Sequence, residues 1–273
     1  MRYVKMNGCG NDFVILDARA GAPRLTPARA RALADREAGL GCDQVIALEP
    51  SARADAFVRI WNADGEEVSA CGNGTRAVAW LLMEEGGAAK TIETAAGVLR
   101  AERSGPHAIT VDMGPPRLAW NEIPLARAMD TVALDLAIDP AGARLAAPGA
   151  VNMGNPHVVF FVDDVSAVPI ETLGPKIEHD PLFPKGVNVG IAEVRSPEQI
   201  RLRVWERGTG LTKACGTGAC AAVVAGHRQG RLGRKVEVLV DGGSLQIEWR
   251  AGDDRVLMTG PIELEETGEL PPP

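Results

Sequence analysis

Residues Ala70–Trp80 read ACGNGTRAVAW, and residues Ala214–Val224 read ACGTGACAAVV. Each stretch places a cysteine before a glycine-rich turn, and each turn opens an apolar, alanine-rich run. The pair decides how the chain is read, because it makes the chain two copies of one unit. The offset between Cys71 and Cys215 is 215 − 71 = 144. The same offset carries Gly10-Asn11 onto Gly154-Asn155, Gln44 onto Asn188, Arg59 and Trp61 onto Arg203 and Trp205, and Asn62 onto Glu206. Between Phe57–Leu81 and Arg201–Ala225, seven of 25 positions are identical. Further on, Met113–Pro116 (MGPP) resembles Thr259–Ile262 (TGPI) at an offset of 146. A repeat of this length is too long for a solenoid unit and implies two similar domains. Two thiols in equivalent settings suggest a site built from two halves. If the halves face each other, one substrate carbon has a sulfur on each side, which suits removing a proton from one face and returning it to the other.

Composition narrows the partners. The chain has 273 residues, 45% of them hydrophobic, as in an ordinary globular protein. A net charge of −7 without a basic cluster argues against nucleic acid. No apolar run approaches the roughly 18 residues of a membrane helix. The stretch MRYVKMNGCGNDF turns polar by Asn7, unlike a signal peptide. Five cysteines without a CxxC pair fit neither a disulfide framework nor a zinc site. The expectation is a cytoplasmic protein with reduced thiols, no metal and no membrane.

Local signals place the motifs. Tyr3–Lys5 and Phe13–Asp17 are expected as strands, joined by the loop MNGCGND. Thr26-Pro27 marks a helix start, with a helix to about Ala38 that stops at Gly39. Ala56–Trp61 alternates, with Val58, Ile60 and Asn62 on one face. Ile200–Glu206 does the same with Ile200, Leu202, Val204 and Glu206. Both faces end in a polar residue, and an inward polar residue at a strand end borders a site or bonds to backbone. The runs after Cys71 and Cys215 are expected as buried helices ending at Gly86-Gly87 and near Gly230. Strand-rich stretches, Thr91–Asp112 and Lys235–Met258, follow them. The boundary between the halves is expected near Arg117–Trp120, and Pro271–Pro273 is expected to be disordered.

A thiol at a helix N-terminus lies near the positive end of the helix dipole, which lowers its pKa from about 8.5 and makes thiolate accessible. Gly72, Gly74, Gly216 and Gly218 allow backbone N–H groups to approach an anion. A carboxylate held there receives the charge released when its α-carbon is deprotonated. This is a route to α-proton removal that needs neither pyridoxal phosphate nor a metal. Plainer readings stand beside it. Cys220 inside the alanine run reads as a small core hydrophobe. Cys9 and Cys42 lie in polar loops near the candidate site. Asn11, Asn62, Asn155 and Asn188 could serve turn geometry alone. His157, before the apolar run Val158–Val162, could be a core histidine. Glu206-Arg207 could be a solvated pair, although its place opposite Asn62 on an inward face weakens that reading.

The motifs KMNGCGNDF, GCDQ, NADGEEVSACGNGTRA, MGNPH, GVNVG, RVWERGTGLTKACGTGACA and MTGP together resemble those of the diaminopimelate epimerases, over nearly the whole chain. The resemblance implies a mixed α/β (α+β) fold of two domains related by a pseudo-twofold axis. Each would be a curved, mostly antiparallel sheet or barrel around a central helix. Residues 1–117 with 262–273 would form one domain and 118–261 the other. It implies Cys71 and Cys215 as the proton-transferring pair, with no cofactor and no metal. Gly72, Asn73, Gly216 and Thr217 would hold the reacting carboxylate. Asn62, Asn188 and Arg207 would hold the far carboxylate and Glu206 the far ammonium, with Asn155 nearby. Asn11 and Gln44 would line the pocket, and His157 and Glu206 would assist thiol ionisation. The implied partner is a small amino-acid substrate, with a homodimer as the candidate assembly. Cys9, Cys42, Thr75 and Ala77 depart from the common pattern, which bears on pocket packing and not on the reaction. The rivals are a proline or hydroxyproline epimerase, for which the second carboxylate set is surplus, a phenazine-pathway isomerase, which lacks the cysteine pair, and a non-catalytic amino-acid binding or redox-switch protein.

Overall fold

The computed structural model describes residues 1–21, 25–69, 71–138 and 145–270. Ala70 at the head of the first motif, and Pro271–Pro273, lie outside the described residues. The chain forms two compact units, Met1–Asp112 with Thr259–Pro273, and Met113–Met258.

The first unit runs β1 (Arg2–Gly8), β2 (Asn11–Asp17), α1 (Pro27–Ala34), β3 (Gln44–Glu49), β4 (Ala56–Asn62), β5 (Glu67–Val68), α2 (Gly72–Glu84), β6 (Ala89–Thr94), β7 (Gly97–Gly105) and β8 (Ala108–Asp112). The second runs β9 (Ala137–Ile138), β10 (Leu145–Ala146), β11 (Gly149–Asn152), β12 (Pro156–Val162), α3 (Ile170–Glu178), β13 (Asn188–Ser196), β14 (Gln199–Glu206), β15 (Gly210–Thr212), α4 (Gly216–Arg228), β16 (Lys235–Val240) and β17 (Gly243–Trp249). Strand β18 (Val256–Pro261) passes from the second unit into the first, and β19 (Glu263–Glu269) completes the first unit.

The two units repeat one pairing scheme. β1 and β2 are antiparallel, β2 and β3 parallel, β3 and β4 antiparallel, β4 and β6 parallel, and β6 and β7 antiparallel. The second unit has the same sequence of orientations in β11 through β14, then β16 and β17. Even the register keeps the offset of 144. Phe13 pairs with Gln44 and His157 with Asn188, and Val45 pairs with Trp61 and Val189 with Trp205.

Each central helix is set by its own sequence. Cys71 and Cys215 are extended N-cap residues, at φ −143° and −114°, and each sulfur accepts the N–H three residues on. Asn73–Ala79 of α2 are buried, and so is α4 apart from Thr217 and its last two residues, so no polar stripe is needed. α2 packs on β1, β2, β6, β7 and β8, and α4 packs on β11–β14, β16 and β17. The shorter helices cover the other faces. Leu33 and Ala34 of α1 pack with Val45 and Trp61. Ile170, Leu173 and Ile177 of α3 pack with Phe160, Val189 and Ile191.

Two local expectations need correction. The loop Met6–Asp12 is mostly strand, because the β1–β2 hairpin turns on Cys9 and Gly10 alone. Both have left-handed backbones, φ 58° and 75°, which match the twist of a two-residue hairpin. α1 ends at Ala34, short of Ala38. The Asp35 carboxylate takes the N–H groups of Glu37 and Ala38 at 2.8 and 2.9 Å, which turns the chain out of the helix.

Candidate active site

In the first unit, the Cys71 sulfur accepts the Gly74 N–H at 3.4 Å and donates to Asn11 Oδ1 at 3.9 Å. Asn11 is oriented in turn by its Nδ2, which donates to Asp43 Oδ2 at 3.0 Å. A Cβ at Gly74 would lie 2.8 Å from Ile46 Cδ1, so a side chain there would require the tip of Ile46 to move. Gly72 and Asn73 occupy the first turn behind the cysteine, with Asn73 buried. At the adjoining strand ends, Gln44 Nε2 donates to Asn62 Oδ1 at 2.9 Å. Gln44 Oε1 is buried and has no hydrogen-bond partner among the described residues. The first unit thus brings Asn11, Cys71, Gly72 and Asn73 together at a helix start, and Gln44 and Asn62 together on paired strands.

In the second unit a longer chain of contacts ends at Cys215. The sulfur accepts the Gly218 N–H at 3.4 Å and lies 3.5 Å from Thr217 Oγ1. Thr217 Oγ1 lies 3.1 Å from His157 Nε2, which lies 2.9 Å from Asn155 Oδ1. Asn155 Oδ1 can only accept, so His157 Nε2 carries the proton and Nδ1 presents a lone pair. That one proton is shared between Asn155 Oδ1 and Thr217 Oγ1, which leaves the Thr217 hydroxyl proton to point toward sulfur. His157 is wholly buried, Nδ1 has no partner among the described residues, and desolvation with the nearby Arg207 charge pushes its pKa down to about 3. It is therefore a neutral imidazole.

Glu206 also touches the Cys215 thiol and accepts the Thr212 hydroxyl at 2.6 Å. Burial raises the Glu206 pKa, against the lowering by these two hydrogen bonds. The Cys215 thiol is pushed well above its ordinary range, first by burial and then by the Glu206 charge, and Thr217 and Gly218 only partly offset this. The expectation of a thiolate promoted by the helix start thus reverses at Cys215 in the folded chain. A helix terminus is worth at most about 2 kcal/mol, and desolvating a charge costs more. Cys215 rests as a protonated thiol against a carboxylate that can take its proton.

Beyond Glu206, the Arg207 N–H donates to Asn188 Oδ1 at 2.9 Å, and Asn188 Nδ2 donates to Pro156 O at 2.8 Å. Gly216 is buried at the start of α4. The remaining cysteines are less suited to acid–base work. Burial raises Cys42 to about 11 and raises Cys9 too, while Cys220 lies fully inside the core. Asp43 and Thr212, which orient Asn11 and Glu206, were not singled out from sequence. Both fall inside the quoted motifs, yet their roles depend on strand pairings.

A family model described as diaminopimelate epimerase matches residues 3–119 and 149–265. A diaminopimelate epimerase of Phenylobacterium zucineum is 58% identical over 270 residues, 98% of this chain and 97% of that one. Another from Acidiphilium cryptum is 54% identical over 269 residues, 98% and 95% of the two chains. Among solved structures, a hydroxyproline epimerase from Agrobacterium vitis with bound trans-4-hydroxy-L-proline superposes with a TM-score of 0.68. It is 18% identical and covered over 90% of its length by 99% of this chain, so it shares the fold alone. The mixed α/β architecture of two repeated units is thus that of known epimerases, and the identity to curated relatives spans nearly the whole chain. On that footing the chain belongs to the diaminopimelate epimerase family.

Proposed function

We propose that this chain interconverts LL- and meso-diaminopimelate, a step in making lysine and peptidoglycan precursors, by moving a proton at the α-carbon between two cysteines. Its membership of the family carries this reading, and the paired cysteine-capped helices supply the chemistry. Inversion needs a base on one face of the α-carbon and an acid on the other. Cys71 supplies one and Cys215 the other. In one direction a thiolate at Cys71 takes the α-proton as the C–H bond breaks, and the Cys215 thiol gives its proton to the carbanion. The reverse reaction exchanges the roles. Glu206 beside Cys215 takes up and returns the thiol proton, and the raised pKa of its buried carboxyl suits that exchange.

The reacting carboxylate is held by the helix starts at Gly72-Asn73 and Gly216-Thr217, whose N–H groups also receive the charge that develops on it. Asn62, Asn188, Glu206 and Arg207 recognise the far amino-acid end. Asn11, Gln44 and Asn155 line the site, and His157 keeps the Thr217 hydroxyl aimed at sulfur. Neither metal nor pyridoxal phosphate enters these steps. We place the protein in the cytoplasm, with a homodimer as its assembly.

Incubation with LL-diaminopimelate in D2O tests the reading. NMR should show loss of the α-proton signal and growth of meso product without added cofactor. Activity lost on EDTA dialysis and restored by a metal would overturn the cofactor-free scheme. Arg207→Lys should raise KM about tenfold with a smaller change in kcat, since lysine cannot make two parallel hydrogen bonds to a carboxylate. Unchanged kinetics would mean that the far carboxylate is held elsewhere.

A further inference from the structure

The direction of Arg207 is set by residues that belong to none of the sets above. α3 ends at Glu178, a carboxylate with a side chain only 7% exposed. Its Oε2 accepts the Trp205 indole N–H at 2.8 Å, and its Oε1 accepts the Gly208 backbone N–H at 3.0 Å. Trp205 and Gly208 flank Glu206-Arg207, so one buried carboxylate holds both ends of that dipeptide. One helical turn earlier, a Cβ at Gly174 would lie 2.4 Å from Trp205 Cγ, so α3 and the indole are in close contact. The connection after α3 supports the Arg207 side chain itself. Lys185 O accepts its Nη1 at 2.7 Å, and Gly186, at φ +68°, leaves room for its Cδ, which a Cβ would approach to 2.8 Å.

The other half of the chain shows what the carboxylate adds. The offset gives 178 − 144 = 34, and α1 ends at Ala34. Trp61 stands there as Trp205 does here, but its buried Nε1 has no hydrogen-bond partner among the described residues. The following residues are Asn62-Ala63, not Glu-Arg. Packing this position therefore does not require an acid. A buried carboxylate carries a desolvation cost that alanine does not, and it occurs in the half that bears Glu206-Arg207.

We propose that Glu178 is a positioning residue for substrate selection, fixing the Trp205–Gly208 segment so that Arg207 meets the far end of the substrate. This rests on the reading of the site given above. The test compares wild type, Glu178→Gln, Arg207→Lys and the double variant with meso-diaminopimelate. Glutamine can accept one of the two N–H groups but turns its own amide hydrogens toward the other. Glu178→Gln should raise KM about tenfold, with kcat within about threefold of wild type. The double variant should be within about threefold of Arg207→Lys alone, because both changes act on one guanidinium. An unchanged KM, or effects that multiply, would overturn the proposal, since a purely structural role predicts independent effects. If Glu178→Gln does not fold, Trp205→Phe removes a single donor and should raise KM about threefold, and no rise overturns the proposal. Amide exchange at Gly208 in the free enzyme separates this inference from the functional one. Faster exchange in the folded Glu178 or Trp205 variant supports it, and unchanged exchange overturns it. Wild-type protein inactive on diaminopimelate would instead sink the substrate assignment, and the exchange result would still decide whether Glu178 holds the turn.

Discussion

Cys215→Ala should lower turnover in both directions by at least about a hundredfold, the smallest loss expected for a missing acid–base group. Cys71→Ala should do the same. Each variant leaves one face of the α-carbon without a proton partner. The two losses should not multiply in the double variant, because a two-base inversion already fails with one base gone. The variants should stay folded, since Ala at the N-cap removes only a weak sulfur acceptor and costs about 1 kcal/mol. Steady-state kinetics with each isomer checks this. A Cys215→Ala protein with more than about a tenth of wild-type turnover would mean that one base suffices.

The second large effect is on stability and comes from His157. The folded chain holds this imidazole neutral down to about pH 3, whereas an exposed histidine titrates near 6.5. Between those values the unfolded chain binds a proton and the folded chain does not. The stabilisation is complete above about pH 6.5, shrinks as the pH falls and is gone near 3. At 1.36 kcal/mol per unit, the whole window is worth on the order of 5 kcal/mol. Denaturant unfolding of wild type and His157→Gln at pH 7.5 and 5.0 isolates the contribution. The wild type should lose about 2 kcal/mol more than the variant between the two conditions. Equal losses would show that His157 is not held neutral by burial.

Much of this architecture is legible in the chain because the deciding signals are local. A cysteine, two glycines and an alanine run specify a capped, buried helix, and repetition at a constant offset specifies two of them. Thr26-Pro27 marks the start of α1 for the same reason. Signals that depend on tertiary contact are not legible. The end of α1 is set by a side-chain bond from Asp35 that competes with Gly39 as a stop signal. In Met6–Asp12 the polar residues read as a loop, yet only Cys9 and Gly10 turn, because β2 brings the rest into register. The acidity of Cys215 depends on burial and on Glu206 lying against it. Glu178 sits in Lys176–Asp180, a stretch whose charges look like a solvated face until the indole of Trp205 is found against it.

The placing of β19 has a consequence for the order in which the protein is made. Arg2 pairs with Glu269 and Asn7 with Glu263, so one edge of β1 is closed by a strand that begins 263 − 8 = 255 residues after β1 ends. The other edge finds β2 within two residues. On the ribosome, the first half therefore waits with an open strand edge while the continuous stretch Met113–Met258 emerges and can form its own sheet. Translation thus reverses the order suggested by the numbering. The half that begins first finishes last, and a stop codon before β19 would leave a nascent product with an unpaired strand open to association with its neighbours.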